Sequence, residues 1–356
     1  MARAAGGAMQ RVIVNQVTAV MVLLLLVGCA PVRQPMGEAV VQPFWHGDRM
    51  VMADGYRLRV LEWWPADRGT GQDEARAVPP IALVIAFHGM NDHAGAFAMA
   101  GEALASHGIV SIAYDQRGFG DTLNRGLWAT SDTLVDDLAT VIMLVQARYP
   151  ALPVFLVGSS MGGAVVLVAT AGRKPVVEGQ QVHGVILNAP AVWARSTMPA
   201  HQRFALWLAE RLTPGWALTG EGLDIWPSDN VEMLRALAAD PLALRANRVD
   251  LMSGVVDLMD EAFATADSIS VPTLILYGDQ DQIIPDSALD RFWTQVPEDA
   301  PASLQRFPDG YHMLLRDLGR HAPITAMADW ILSQIKPALD AKAPPDRAHP
   351  TTSQAR

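Results

Sequence analysis

Along this chain, short runs of apolar residues alternate with longer segments in which apolar residues recur at helical spacing. The continuous apolar runs occupy residues 81–87, 109–114, 154–157, 182–187 and 271–277. A short uninterrupted apolar run is typical of a strand that is covered on both faces of a parallel sheet. The alternation of such strands with helical segments predicts an α/β fold, with a mainly parallel central sheet and helices on both of its faces.

The segment before the first of these runs has a different pattern. Residues 52–64 contain Asp54-Gly55, a frequent turn dipeptide, followed by alternating polar and apolar positions. Alternation after such a turn is typical of an antiparallel hairpin with one solvated face. We therefore expect two antiparallel strands at one edge of the otherwise parallel sheet.

Residues 193–267 also depart from the alternation of strands and helices. Helix-like stretches dominate in this segment, and four of the ten tryptophans occur there. Because sheet strands are predicted on both sides of it, we interpret this segment as a helical lid inserted into the core. The core itself is then formed by residues 45–192 and 268–336. Residues 337–356 are rich in alanine, proline and charged side chains, which predicts a disordered tail.

The first residues have the pattern of an export signal. Residues 17–27 are almost wholly apolar, which is too short for a membrane span of about 20 residues but suits a signal peptide. Leu-Val-Gly precedes Cys29, and this order resembles the bacterial lipobox, whose cysteine is acylated and becomes the new first residue. We therefore predict a lipoprotein signal peptide at 1–28, an acylated Cys29 (with palmitate or a similar chain) and a tether at 29–44. By the same resemblance, Ala30 is not the aspartate associated with inner-membrane retention, so attachment to the outer membrane of a bacterial envelope is expected.

Composition narrows the possible functions of the chain. Its 356 residues are 50% hydrophobic and 18% charged, which suits one large domain with an insertion. A formal net charge of −10 argues against nucleic-acid binding. The chain has one cysteine, which excludes an internal disulfide framework and a cysteine metal cluster. The pattern indicates no metal and no organic cofactor, and it does not indicate an oligomeric state.

One stretch has the pattern of a nucleophile elbow. The apolar run 154–157 leads into Gly-x-Ser-x-Gly at 158–162, with Ser160 in the middle, and an apolar segment of helical length follows. A serine nucleophile has to lie at the tip of a sharp turn between strand and helix. The residues two positions before it and two positions after it therefore need to lack a Cβ. The N–H of Met161, at the start of the helix, is then a candidate donor to an oxyanion.

A serine nucleophile needs a general base and a carboxylate that orients the base. In a strand-to-helix elbow of this kind the acid and then the base follow the serine in the chain. Asp279 and Asp281 both follow the apolar run 271–277, and either could be the acid. Of the later histidines, His312 follows a short strand and a turn and is the expected base, whereas His321 lies in the last helical region and His349 in the tail.

A second oxyanion donor is expected from the loop that follows the apolar run 81–87. His88 and Gly89 begin this loop, and glycine allows its backbone to approach the nucleophile closely. The N–H of Met90 is the candidate donor. The side chain of His88 is expected to hold the loop rather than to react.

Five motifs give the chain a family resemblance. They are His-Gly-x-x-x-His at 88–93, Asp-x-Arg-Gly-x-Gly at 115–120, Gly-x-Ser-x-Gly at 158–162, Gly-x-x-Asp-x-x-x-Pro at 278–285, and Gly-Tyr-His at 310–312. With them the chain resembles the α/β-hydrolase superfamily, in particular its monoacylglycerol lipase and lysophospholipase branch, which is also grouped with serine aminopeptidases. The resemblance extends from residue 54 to residue 335, and it favours Asp281 over Asp279 as the acid.

The resemblance implies a serine hydrolase that cleaves carboxylic esters through a Ser160, Asp281 and His312 triad and an acyl-enzyme. Its expected substrates are small or lipid esters, such as a monoacylglycerol or a lysophospholipid. Large aromatic residues in the predicted lid suggest an apolar substrate group, and the candidates for its binding are Trp193, Phe204 and Trp207.

Two alternatives remain open at this point. A peptidase or amidase could bind a free amine through acidic residues of the lid, which are Glu221, Asp224, Asp229 and Glu232. A non-catalytic envelope lipoprotein could retain the fold as a binding scaffold. The presence of all three triad residue types argues against the second alternative.

Overall fold

The computed structural model describes residues 30–65, 79–172, 181–220 and 222–342, together with residue 16, and it describes side chains up to residue 336. Apart from residue 16, the predicted signal peptide lies outside the described residues, as do Cys29 and the tail beyond 342. None of the helices in the described part of the chain combines the length and the apolar character needed to span a bilayer.

The central sheet has nine strands within the described residues, in the order β1-β2-β3-β5-β4-β6-β7-β10-β11. A separate pair, β8 and β9, lies in the predicted lid. The strands are β1 Phe44–His46, β2 Arg49–Val51, β3 Arg57–Trp63, β4 Ala82–Phe87, β5 Ile109–Tyr114, β6 Val154–Ser159, β7 Val182–Asn188, β8 Ala217–Thr219, β9 Ala246–Arg248, β10 Thr273–Gly278 and β11 Ala302–Phe307.

In the central sheet, strands β1, β2 and β3 pair antiparallel, as do β3 and β5, whereas the other five pairs, which join β5, β4, β6, β7, β10 and β11, are parallel. The predicted parallel sheet with an antiparallel edge is therefore confirmed. The edge has three strands rather than two, because the chain already pairs at β1, before the turn that the sequence pattern identified. Strands β4 and β5 are buried at every position, as their continuous apolar runs predict.

Helices cover both faces of the sheet, which is also as predicted. One core cluster joins the sheet to α2, α3, α6 and α7, and a second cluster joins its other face to α1 and α8. The helices are α1 Ala98–Ala105, α2 Ser131–Arg148, α3 Met161–Ala171, α4 Ala200–Leu212, α5 Val231–Ala239, α6 Val249–Phe263, α7 Asp286–Trp293 and α8 His321–Lys342, with short 3₁₀ helices at Ala94–Phe97 and Ala266–Ser268.

The predicted lid contains helices of two different kinds. Helix α4 has no buried residue, so it lies on the surface. Helix α6 buries Leu251, Val255 and Leu258 in the same core cluster as the sheet. The body of the protein therefore extends into the C-terminal part of the segment that the tryptophan-rich pattern marked as an insertion.

The residues after position 29 run along the domain surface. The side chain of Arg33 donates a hydrogen bond of 2.9 Å to Glu210 on α4 and one to the carbonyl of Asp250 on α6. The backbone N–H of Val32 donates to the Asp250 carboxylate at 3.0 Å, and that of Met36 to a side-chain oxygen on α2. This part of the predicted tether therefore contacts two of the three α-helices described in the lid segment, α4 and α6, and also α2 of the core.

A buried ion network lies behind the strand ends that carry the candidate site. Arg117 is 1% exposed and donates to both oxygens of Asp137, each at 2.9 Å, and to Asp54 at 2.6 Å. Its guanidinium also lies 4.0 Å from the ring centroid of Tyr56. Burial acts to raise the pKa of Asp54, but hydrogen bonds from Arg117 and two backbone N–H groups outweigh it and lower the pKa.

Replacing Arg117 by alanine is expected to lower the free energy of unfolding by about 3–5 kcal/mol, because Asp54 and Asp137 would remain buried without their cation. Arg49 is the matched control, since its pair with Asp121 is partly exposed to solvent, and its replacement should cost at most about 1 kcal/mol. Urea denaturation of both variants measures the difference. Equal losses would contradict a stabilising role for the buried network.

Candidate active site

Ser160 lies at the turn between β6 and α3 in a backbone conformation that non-glycine residues rarely adopt, with φ 52° and ψ −116°. Such a conformation persists only where its surroundings hold it, and it clusters at functional sites. Two hydrogen bonds hold this one from the end of β7. The N–H of Ser160 donates to the carbonyl of Asn188 at 2.9 Å, and the N–H of Ala191 donates to the carbonyl of Ser160 at 3.0 Å.

The glycines on either side of Ser160 are required by close backbone contacts. A Cβ on Gly158 would lie 2.6 Å from the carbonyl oxygen of Gly162. A Cβ on Gly162 would collide with the carbonyl oxygen of Phe87 at the end of β4. The two glycines thus allow the elbow to pack directly against the loop that follows β4.

His312 and Asp281 are joined by a hydrogen bond of 2.8 Å between Nδ1 of the imidazole and Oδ2 of the carboxylate. The side chain of Asp281 is fully buried, and its Oδ1 accepts hydrogen bonds from the N–H groups of Ile283 and Ile284 at 2.7 and 3.0 Å. A carboxylate that accepts from Nδ1–H leaves Nε2 of the imidazole as the free acceptor.

Asp279, the other candidate acid, lies in a different environment. Its Oδ1 accepts a hydrogen bond of 2.8 Å from Arg306, which also pairs with Asp286 and Asp290 on α7. Asp279 thus belongs to a surface ion cluster, whereas Asp281 is the carboxylate that bonds to the imidazole of His312. His321 begins α8, and His349 lies outside the described residues.

The loop after β4 approaches the serine closely. A Cβ built on Gly89 would lie 3.2 Å from Cβ of Ser160 and 3.8 Å from its Oγ. Met90 follows in this loop, and Met161 is the first residue of α3, where N–H groups have no partner within the helix. The two backbone groups predicted to bind an oxyanion thus belong to the two segments that flank Ser160.

His88 holds this loop in place, as the sequence predicted. Its Nδ1 lies 2.8 Å from the carbonyl oxygen of Gly89, and its Nε2 accepts from the N–H of Gln116 at 2.9 Å. Complete burial lowers the pKa of His88, which suits a neutral imidazole with one donor and one acceptor nitrogen. The side chain of Gln116 returns a bond of 2.6 Å to the carbonyl of His88.

Ser160 and His312 line one small cavity of about 70 Å³, together with Gly89 and Met90. Its remaining wall includes apolar side chains and two polar pairs. One pair is Asp92 with Arg316, which form an ion pair between the loop after β4 and the loop that carries His312. The other is Ser159 with Asn188, joined by a hydrogen bond of 2.5 Å. Among the described residues, no group of three or more His, Cys, Asp or Glu side chains is arranged to hold a metal ion.

The residues predicted to bind an apolar substrate group lie elsewhere. Phe204 and Trp207 on α4 are 61% and 46% exposed and stack on each other with ring centroids 5.7 Å apart. Trp193 is half-buried against the body core. None of the three lines the cavity beside Ser160, so their substrate role remains a prediction.

Several residues around the cavity were missed by the sequence reasoning. Asn188 directly follows the apolar run 182–187, so the rule that found the other strand-end residues would also have found it. Asp317 accepts from the N–H of Tyr311 at 2.7 Å and from the hydroxyl of Ser228 at 2.6 Å, and it thereby joins the His312 loop to the lid. Burial raises the pKa of its carboxyl group. Nothing in the local sequence signals that role.

This fold and this arrangement of strand-end residues define the class of the α/β hydrolases. Residues 78–319, more than half of the chain, match the family described as serine aminopeptidase, S33. The chain belongs to this family, which confirms the coarse part of the predicted resemblance.

Two curated relatives of the chain are named as monoacylglycerol or monoglyceride lipases. The chain is 24% identical over 261 residues to the monoacylglycerol lipase of Mycolicibacterium smegmatis, a match that covers 72% of this chain and 90% of that one. It is 26% identical over 285 residues to human monoglyceride lipase, covering 78% and 86%. An abhydrolase domain-containing protein of Dictyostelium discoideum is 22% identical over 261 residues, 73% of this chain but only 27% of that protein.

A solved structure of a soluble variant of the Saccharomyces cerevisiae monoglyceride lipase is similar with a TM-score of 0.65 and 17% identity, and the match covers 84% of this chain and 96% of that one. At 17% identity, this similarity shows that the two proteins share a fold and nothing more. The sequence relatives support a serine hydrolase of the monoglyceride-lipase-like branch.

Proposed function

We propose that this protein is a serine hydrolase that cleaves carboxylic esters of lipid type, such as monoacylglycerols or lysophospholipids. The observation that carries the proposal is the hydrogen bond between His312 and buried Asp281, with His312 and the strained Ser160 in the wall of one cavity. Nucleophile, base and orienting acid are the parts that acyl transfer by serine requires. The named activities of the relatives support the choice of lipid esters.

In the proposed mechanism, Nε2 of His312 takes the proton of the Ser160 hydroxyl while Oγ attacks the ester carbonyl. Asp281 keeps the proton of the imidazole on Nδ1 and stabilises the imidazolium that forms. The N–H groups of Met90 and Met161 bind the oxyanion of the tetrahedral intermediate. His312 then gives its proton to the leaving alcohol, and water, activated by the same imidazole, releases the acid and frees Ser160.

The family description keeps an amide substrate as the alternative. An amine-binding site would need free carboxylates close to the nucleophile. Asp224, Asp229 and Glu232 do not line the cavity beside Ser160, and Asp92, which does, is already paired with Arg316. Asp229 accepts from the N–H of Leu318, and Asp224 from the indole of its neighbour Trp226. Glu221 lies outside the described residues. These positions favour the ester over the amide.

A substrate panel tests the proposed reaction. We expect release of fatty acid from monoacylglycerols and lysophospholipids with kcat/KM at least about 10²-fold above that for aminoacyl amides of similar size. Fatty acid release at neutral pH, measured for each substrate over several chain lengths, checks this. Hydrolysis of the amides alone would replace the ester proposal by the peptidase alternative.

The attachment to a membrane is a second part of the proposal. We infer that Cys29 is acylated and anchors the domain to a bacterial membrane, with the outer membrane preferred. Residue 30, the next residue, lines the same open surface cavity as Leu212 and Trp216 of the lid, which are 50% and 62% exposed. An acyl chain on Cys29 would therefore bring the exposed apolar part of the lid close to the lipid.

Replacing Cys29 by alanine is expected to abolish incorporation of labelled palmitate and to release the protein from the membrane fraction. The matched variant Ala30→Asp retains the cysteine, so it should remain acylated but move toward the inner-membrane fraction. Labelling followed by density-gradient separation of membranes measures both. Membrane retention of unlabelled Cys29→Ala protein would contradict the lipid anchor.

A further inference from the structure

The wall of the cavity contains a buried amide side chain whose oxygen has no hydrogen-bond partner among the described residues. Asn188 is 2% exposed, and its Nδ2 donates to Oγ of Ser159, while its Oδ1 is buried without a partner among the described residues. Five other buried side-chain atoms of the described residues lack a partner, but none of them belongs to a residue that lines this cavity. A buried polar atom without a partner is costly and requires an explanation.

Asn188 and Ser159 are held opposite each other by the sheet itself. They are paired residues at the carboxyl ends of β7 and β6, and Ser159 directly precedes Ser160. Because Nδ2 of Asn188 donates to Oγ of Ser159, the Ser159 hydroxyl keeps its own proton to donate. The pair therefore offers one donor and one acceptor next to the nucleophile. If the amide were rotated by 180°, Ser159 would donate to the amide oxygen, and Asn188 would still have one unpaired polar atom.

The charges around the cavity indicate what this pair can bind. The Arg316 guanidinium is paired with Asp92, whose other oxygen accepts from the N–H of His93 at 3.0 Å. The charges of Asp92 and Arg316 thus neutralise each other, and among the described residues no other Lys or Arg lines the cavity to attract a carboxylate or a phosphate. A cavity of about 70 Å³ has room for a small polar group, since one water occupies about 30 Å³ in the liquid.

A neutral hydroxyl group fits these conditions, because it can accept from Ser159 and donate to Asn188 at the same time. We propose that Ser159 and Asn188 form a hydroxyl-binding subsite, which selects esters that carry a free hydroxyl close to the reacting carbonyl. This inference rests on the proposed ester hydrolysis. The hydroxyl could belong to the alcohol part of the substrate or to its acyl part.

Matched pairs of neutral esters test the subsite, each pair differing by a hydroxyl in place of a methyl group. Glycol monobutyrate against propyl butyrate reports a hydroxyl on the alcohol, and ethyl β-hydroxybutyrate against ethyl isovalerate reports one on the acyl group. We expect the protein to prefer the hydroxylated ester in one of the two pairs by at least about tenfold in kcat/KM, as for sites that hydrogen-bond a substrate hydroxyl.

In Ser159→Ala and in Asn188→Leu, which retains the side-chain volume, this preference should fall to within about twofold. The preference is the ratio of the two kcat/KM values measured with the same variant, so a general loss of activity cancels. If Asn188→Leu does not fold, the result with Ser159→Ala decides. Ser111→Ala is the matched control, because Ser111 is a buried serine whose hydroxyl has no partner within the described part of the chain and which does not line the cavity. Its preference should equal that of the unmodified protein.

Three results would overturn the inference. Hydrolysis of all four esters without a preference would contradict the subsite but leave the ester hydrolase standing. A preference that survives both substitutions would assign the selection to other residues. Failure to hydrolyse any ester in this panel and in the lipid panel would remove the proposed function, and the subsite with it.

Discussion

Replacing Ser160 by alanine is expected to reduce ester hydrolysis by about 10⁶-fold, the loss typical of removing a serine nucleophile. Alanine retains the Cβ and the positive φ of the elbow, so the backbone and its bonds to β7 should persist. What disappears is the hydroxyl oxygen that forms the acyl-enzyme. Initial rates with a monoacylglycerol, compared at equal protein concentration, measure this loss.

Covalent labelling provides an independent readout of the same prediction. A fluorophosphonate should react with Ser160, whose Oγ bonds to phosphorus as fluoride leaves, and the label should be absent from Ser160→Ala. Ser333→Ala is the matched control, because Ser333 is an exposed serine on α8 whose hydroxyl donates to the carbonyl of Trp330. Equal labelling of wild type and Ser160→Ala would exclude both enzyme proposals and favour a non-catalytic envelope lipoprotein.

Replacing Asp281 by asparagine is expected to lower kcat by about 10⁴-fold, with a folded protein and a smaller effect on KM. Asparagine can retain the acceptor for the N–H groups of Ile283 and Ile284, so the loop should survive. Its Nδ2 would instead donate to Nδ1 of His312 and move the imidazole proton to Nε2. The imidazole would then be unable to accept the proton of Ser160.

Asp279→Asn is the control for this substitution, because Asp279 lies two residues away and pairs with Arg306 at the surface. We expect its kcat to stay within a few-fold of the unmodified protein. Stopped assays for kcat and KM, with thermal unfolding to confirm the fold, separate the two variants. If Asp279→Asn lost activity and Asp281→Asn did not, the acid would have to be reassigned to Asp279.

Much of the fold could be predicted from local patterns. The runs 81–87 and 109–114 correspond closely to β4 and β5, because a strand buried on both faces can only be continuously apolar. The edge was less predictable, since β1 has mixed exposure and no apolar alternation. The packing of α6 into the body of the protein could not be predicted from the sequence, for a related reason. An amphipathic helix shows that it buries one face, but not whether it buries it in a lid or in the body.

Site residues that directly follow a strand end could be predicted from the sequence. Site residues whose partners lie in distant loops could not. Ser160, His312 and the pair of Asp279 and Asp281 could be proposed because parallel strands bring their carboxyl ends to one edge. Asp92 and Arg316 lie far apart in the chain, and their pairing depends on how two loops approach each other. Phe204 and Trp207 could not be placed either, because an aromatic residue in a surface helix has the same local pattern whichever way the helix faces.

The sequence by itself determined the alternation of strands and helices in the core, the elbow at Ser160 and the chemical types available at the sheet edge. These follow from periodicity, glycine spacing and strand ends, which are properties of neighbouring residues. The motif resemblance already favoured Asp281 over Asp279, but only the tertiary structure showed why Asp281 meets His312 and which polar groups share the cavity. Those outcomes depend on long-range contacts: Arg306 draws Asp279 to the surface, and the register of β6 with β7 sets Asn188 against Ser159.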